Sequence, residues 1–209
     1  VPNPVQLPER NFRALPPPTP VVSVVVNGWD PRKNSPAALL AFREFQRQHP
    51  EARLWAMGTA FEPGKEAAAF CRENDIPNVD LLGPIPHAEV LARIARSSLV
   101  LHTSLEESFG MVLAEAMSYG VPVVAGKASG AVPWVVGAGG LLVDVTSVGE
   151  IAAALHRLLT EPGLYDRLSE VAVRNVESRF SIQKIADDYL TLYKLGERKK
   201  EKGEKALAE

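Results

Sequence analysis

One cysteine, Cys71, in 209 residues excludes an internal disulfide and any Cys-x-x-Cys metal or redox site. A basic excess is missing too. The 23 Lys and Arg against 25 Asp and Glu leave a net charge of −2, which speaks against nucleic acid as a partner. No apolar run approaches the roughly 18 residues that span a bilayer. The opening Val1-Pro2-Asn3-Pro4 has neither the basic-then-apolar pattern of a signal peptide nor a start methionine. The chain therefore reads as a fragment in a reducing, cytoplasmic setting. Against these absences stand 46% hydrophobic and 23% charged residues, a composition that can bury a core.

Residues 1–20 hold seven prolines and read as an extended linker rather than part of a core. From Val21 the texture changes. The β-branched run Val21–Gly28 has no polar alternation, as expected of a strand buried on both faces. After Asp30-Pro31-Arg32-Lys33-Asn34, Ser35 and Pro36 suit the start of a helix, with Ala38, Leu39, Phe42 and Phe45 on one face. The unit recurs. Strands are expected at Ala52–Gly58, Val79–Gly83, Leu99–Ser104, Val121–Ala125 and Gly140–Asp144. Helices are expected from about Pro63-Gly64 to Glu73, at Ala88–Ala95 and from Gly110 to Tyr119. Such alternation implies an α/β fold, a Rossmann-like doubly wound parallel sheet. Extra helices follow at 147–160, 164–178 and 182–195. The domain is thus 21–195, and 196–209 is a charged, mobile tail. In such sheets ligands bind beyond the carboxyl ends of the strands, here loops 28–35, 58–64, 83–87, 104–110 and 125–134.

The most informative stretch is Ser104-Leu105-Glu106-Glu107-Ser108-Phe109-Gly110-Met111-Val112-Leu113-Ala114-Glu115-Ala116-Met117. Glu107 lies in a loop after a strand, and Gly110 opens a helix. Glu115 sits in an apolar run, where a carboxylate needs hydroxyls, amides or cations to meet it. On this segment alone, a helix with one solvated face explains the pattern equally well.

The two glutamates enclose seven residues, and in this respect the segment resembles the Glu-x(7)-Glu motif of retaining glycosyltransferases. With Ser-Phe-Gly and Glu-Ala-Met it resembles glycosyltransferase family 4. Gly120-Val121-Pro122-Val123-Val124, Leu82-Gly83 and Gly139-Gly140-Leu141-Leu142-Val143 fit the same pattern. The resemblance covers about Val21 to Tyr193, and Pro2-Asn3-Pro4-Val5 resembles an interdomain linker. It implies the C-terminal domain of a GT-B fold, the half that binds a nucleoside-diphosphate-sugar donor. A missing N-terminal domain would carry most of the saccharide or lipid-linked glycan acceptor site, so this piece alone should transfer weakly or not at all. The resemblance further implies independence of metal and of any cofactor beyond the donor. Peripheral membrane contact by the full-length enzyme is compatible with it.

Cleaving a sugar–diphosphate bond places negative charge on the leaving group, which donors must meet. The amides of Gly110, Met111 and Val112 at a helix N-terminus are suited to this. By the resemblance, Glu107 contacts sugar hydroxyls and Glu115 the ribose hydroxyls. Eight helical residues span about 12 Å, whereas the carboxylates of a retaining glycosidase sit only about 5 Å apart. The pair is therefore not read as an acid and nucleophile of a hydrolase. Lys33 and Arg32 are expected at the diphosphate, although Trp29 stands where the family places an arginine after the strand's glycine, Gly28. Gly58 and Thr59 resemble the turn that faces the nucleotide, or form an ordinary strand-to-helix turn. Ile85, within Pro84-Ile85-Pro86, falls where the base is held, and Phe109 falls in the donor loop. Trp134 replaces an acidic residue of a Gly-Gly-x-Pro-Glu-like segment.

Of four histidines, His102 ends a strand and reads as structural, with a place lining the cleft as the alternative, and His87 starts a helix. His49 and His156 read as surface residues, and none has metal-ligand spacing. Cys71 and Trp55 read as core. The last helix, with Ile185, Tyr189, Leu192 and Tyr193 at helical spacing, is expected to expose an apolar stripe if the other domain is missing. Rival readings are a noncatalytic nucleotide-sugar-binding module, an epimerase or phosphorylase of the same fold, and a plain doubly wound domain for another phosphate ligand.

Overall fold

Unbroken β-branched runs form strands here because both faces of the sheet are covered. In the computed structural model, residues 1–8 and 17–206 are described, with side chains through Leu195. The strands are β1 (Val21–Val25), β2 (Arg53–Met57), β3 (Val79–Gly83), β4 (Leu99–His102), β5 (Val123–Gly126) and β6 (Gly140–Val143). They form one parallel sheet in the order β3-β2-β1-β4-β5-β6. The helices are α1 (Ser35–Gln46), α2 (Glu66–Glu73), α3 (His87–Ile94), α4 (Met111–Ser118), α5 (Val132–Val136), α6 (Val148–Thr160), α7 (Leu164–Phe180) and α8 (Ile182–Ala206).

Two apolar layers sandwich the sheet. Leu39, Phe42 and Phe45 of α1, Ala67 and Cys71 of α2, and Ile151, Leu155 and Leu158 of α6 fill one. Ile94 of α3, Leu113 and Met117 of α4, and Val132, Val135 and Val136 of α5 fill the other. Helix α7 serves both, with Leu164 and Leu168 in the first layer and Ala172, Val176 and Phe180 in the second. The connection after β1 therefore goes to one face and that after β4 to the other. Between these adjacent strands lies the switch point, where a crevice opens at the carboxyl edge.

Several boundaries differ from the sequence reading. β1 stops at Val25 because the Val26 carbonyl accepts from the Ala60 N–H at 3.2 Å and the chain then turns away. β4 stops at His102, since the Thr103 hydroxyl donates to the Asn34 carbonyl at 3.0 Å and the Leu105 N–H to the Arg32 carbonyl at 2.7 Å. β5 starts later, at Val123, and α5 forms where a loop was expected, with Pro133 tolerated in its first turn. The proline-rich start is not wholly a free linker: Val5 is 1% exposed, and its N–H donates to the Phe180 carbonyl at 2.7 Å. Linker residues 9–16 lie outside the described residues. So do 207–209 of the expected tail and the side chains of 196–206, although α8 continues through Gly196 to Ala206.

Three side chains also correct the reading. Trp55 is half-buried, not core, with the Arg93 guanidinium 5.4 Å from its ring centroid. His49 and His156 are not isolated surface residues. Nε2 of the first, in the turn after α1, lies 3.0 Å from Nδ1 of the second, on α6, and His49 stacks on Phe45. Burial, and then the neighbouring His156, hold the His49 ring below the usual histidine range. Cys71 is buried as expected, and burial pushes its thiol up.

Candidate donor-binding site

Asp30 opens the loop after β1 by accepting at Oδ1 from the Arg32 N–H, at 3.1 Å, which starts a short 3-10 turn at Pro31–Lys33. The turn ends on Asn34, whose left-handed φ of 51° suits asparagine and whose side chain donates to the Val145 carbonyl at 2.8 Å. This fixes Lys33 at the switch point. From the other side, the loop after β4 brings Glu107, and Lys33 Nζ lies 3.9 Å from its Oε2. Arg32, Lys33, Glu106, Glu107, Ser108 and Gly130 line a cavity of about 410 Å³.

Glu107 is held by its own backbone. Its Oε1 accepts from the Ser108 N–H at 3.0 Å, and its carbonyl accepts from the Ala131 N–H at 2.9 Å. The approach of the loop after β5 requires Gly130 (φ +59°), where a Cβ would stand 2.4 Å from the Glu107 carbonyl oxygen. Gly110 (φ +85°) then turns the chain into α4. Among the described residues, the amides of Gly110, Met111 and Val112 donate to nothing in the chain, so this helix start keeps its capacity for an anion.

Glu115 has a different neighbourhood. Its side chain is 13% exposed, and its Oε1 lies 2.8 Å from His87 Nε2. His87 opens α3 as expected, after the N-cap Pro86 and two residues beyond Ile85, which is half-buried against the second apolar layer. The ends of β1 and β2 are bracketed reciprocally. Gly28 N–H donates to Thr59 Oγ1 at 2.9 Å, and Thr59 N–H to Asn27 Oδ1 at 3.1 Å. Gly58 (φ +101°) passes so close that a Cβ would sit 2.2 Å from the Val26 carbonyl oxygen.

The structure therefore gathers Arg32, Lys33 and Glu107 in one cavity and places Gly28, Gly58, Thr59, Ile85 and Glu115 at the same edge of the sheet. The Arg32 guanidinium is already engaged, with Nε 3.2 Å from Asp30 Oδ1. Phe109 does not line the cavity. It is 7% exposed, edge-on to Phe180 at 5.3 Å and to Trp134 at 6.5 Å. Trp29 packs edge-on against Phe61 and Phe70 and offers no charge to a ligand. Trp134 packs against Phe180 under the Arg179 guanidinium, 4.4 Å from its ring centroid.

Sequence reasoning missed Asp30, Gly130 and the His87–Glu115 contact, and it favoured a structural His102 over one lining the cleft. The only signals were an aspartate before Pro31, a glycine after Ser129 and a histidine at a helix start. His102 is 4% exposed, with Nε2 3.7 Å from Glu107 Oε2. Burial holds its ring down at about 4. Glu107 draws it up and Lys33 pushes it further down.

A switch-point crevice with a cation and a carboxylate, beside a helix N-terminus with free amides, is an arrangement suited to an anion in an α/β domain. The chain belongs to the family Glycosyl transferases group 1, whose profile matches residues 8–174. It is 32% identical over 118 residues to a D-inositol 3-phosphate glycosyltransferase of Thermobifida fusca, covering 56% of this chain and 27% of that one. A sucrose-phosphate synthase of Thermosynechococcus elongatus superposes with a TM-score of 0.73 at 26% identity, over 87% of this chain and 46% of that one. The C-terminal domain of a group 1 family glycosyl transferase, LpcC, of Francisella tularensis gives a TM-score of 0.67 at 20% identity. That match covers 82% of this chain and 96% of that domain. The fold is the Rossmann-like C-terminal domain of a GT-B glycosyltransferase, and the chain spans less than half of the two longer proteins.

Proposed function

We propose that this domain is the donor-binding half of a retaining, metal-independent glycosyltransferase that acts in glycan biosynthesis. The observation that carries the reading is Lys33 facing Glu107 in one cavity, at the entrance to a helix whose first amides are free. Lys33 and the amides at 110–112 meet the diphosphate as its charge grows. Glu107 takes the sugar hydroxyls and Glu115 those of the ribose. Arg32 reaches the diphosphate after leaving Asp30. The acceptor, a saccharide or lipid-linked glycan, binds mainly to a second, N-terminal domain, and the intact enzyme works in the cytoplasm, with peripheral membrane contact where the acceptor is lipid-linked.

A thermal-shift screen with UDP-, GDP- and ADP-sugars tests this. A donor at 100 times its Kd adds about 2.7 kcal/mol of stability. A cognate donor raises the midpoint where the others do not, and a flat response to all of them contradicts the reading. A noncatalytic nucleotide-sugar-binding module is the second reading, favoured by Trp29 packed among Phe61 and Phe70 where a cation is expected. Joining an acceptor-binding domain to this chain restores transfer under the first reading and leaves it silent under the second.

A further inference from the structure

His102 closes β4 beneath the Glu107 loop, and among the described residues neither of its ring nitrogens has a hydrogen-bond partner. Its Nε2 points to Glu107 Oε2 across 3.7 Å, beyond hydrogen-bonding range. The hydroxyls of Ser104 and Ser129, both 1% exposed, are unpartnered as well. Ser104 follows His102 by two residues, and Ser129 lies on the loop after the neighbouring strand β5. His102 is in register with Ala125, and the Ser129 hydroxyl stands 1.8 Å from where a Cβ on the next residue, Gly126, would fall. Buried polar groups are normally paired, and leaving them unpaired lowers stability. Such a cluster under a ligand-facing carboxylate fits a loop that tightens when its ligand arrives.

We propose that His102 is a positioning residue for Glu107: with donor bound, the neutral imidazole donates its Nε2–H to Glu107 Oε2 and fixes the carboxylate that meets the donor sugar. The inference rests on the donor-binding reading. The geometry shows why a neutral donor is suited to this place. Oε1 is already taken by the Ser108 N–H, while among the described residues Oε2 faces Lys33 at 3.9 Å and His102 at 3.7 Å. An uncharged N–H orients Oε2 without competing with the carboxylate's charge, and leaves Lys33 for the diphosphate. Burial keeps the ring neutral through the physiological range, against the pull of Glu107 and in line with the push of Lys33.

The test is calorimetry on this chain with UDP, GDP and ADP and with their glucose conjugates, comparing wild type, His102→Phe and His102→Gln. The expected result is that His102→Phe binds the bare nucleotide as wild type does. It loses about tenfold in affinity for the glucose conjugate, the loss of one hydrogen bond to a charged group. His102→Gln, which can present an amide N–H in place of Nε2–H, recovers most of that loss. A structural histidine predicts otherwise, because an apolar ring of similar shape would bind both ligands as wild type does, and that result overturns the proposal. If wild type binds none of the six ligands, the donor reading fails and takes this inference with it. Should His102→Phe not fold, 15N imidazole spectra of wild type decide: the His102 Nε2 signal moves with nucleotide-sugar and not with nucleotide. An unmoved signal overturns the proposal.

Discussion

Lys33 and Glu107, 74 residues apart in the chain, bring Nζ to within 3.9 Å of Oε2 across the switch point of the sheet. Neither side chain is needed to hold the fold. Lys33 is 31% exposed, and the Glu107 loop is anchored through main-chain contacts to Ala131 and Gly130. The pair is thus available for ligand.

Replacing Lys33 with alanine removes a charged donor from the proposed diphosphate site. Affinity for nucleotide and nucleotide-sugar should fall together, by about tenfold or more. Stability should move by no more than about 0.5 kcal/mol. Arg32→Ala should cost less affinity, because that guanidinium sits on Asp30. Isothermal titration of both variants beside wild type checks the order.

The two glutamates should separate cleanly. Glu115→Gln weakens bare nucleotide and nucleotide-sugar alike, since the proposed role of Glu115, beside His87, is at the ribose. Glu107→Gln weakens only the sugar conjugate. Competition titrations with both ligands measure the split, and equal effects from both variants would refute the assignment.

Gly130→Ala forces a Cβ against the Glu107 carbonyl oxygen from a left-handed φ of +59°. The strain and the displaced Ala131 hydrogen bond should cost about 2 kcal/mol. Chemical denaturation gives the loss, and nucleotide-sugar binding should fall with it because the Glu107 loop moves.

Acid should destabilise the domain through His102. In the folded chain this ring titrates at about 4, while an unfolded histidine titrates near ~6.5. Between those values the unfolded state holds the extra proton, so stability is full above about pH 6.5 and declines as pH falls toward 4. The loss at pH 5 is on the order of 2 kcal/mol from this group. His49, also held below its ordinary range, acts in the same direction. Urea unfolding at pH 7.5 and 5 measures the effect, and His102→Phe should flatten most of it.

The parallel sheet was legible because its strands are β-branched and buried on both faces, and the loop positions of Lys33 and Glu107 followed from strand order. Contacts between distant segments were not. The His87–Glu115 and His49–His156 pairs join residues 28 and 107 positions apart, and no local periodicity encodes them. Trp29 and Trp134 stood out in the sequence as substitutions at polar positions. Their packing against Phe61, Phe70, Phe109 and Phe180 was invisible until the helices were in place. Val5 read as linker because proline surrounds it, yet a hydrogen bond to Phe180 draws it into the core.

The most direct test is a map of amide chemical-shift changes on adding the nucleotide-sugar that raises thermal stability. The account predicts the largest changes at Gly110, Met111 and Val112, with Lys33 and Ser108 close behind. Changes centred instead on the far end of the sheet, around Trp55 and Arg96, would contradict it.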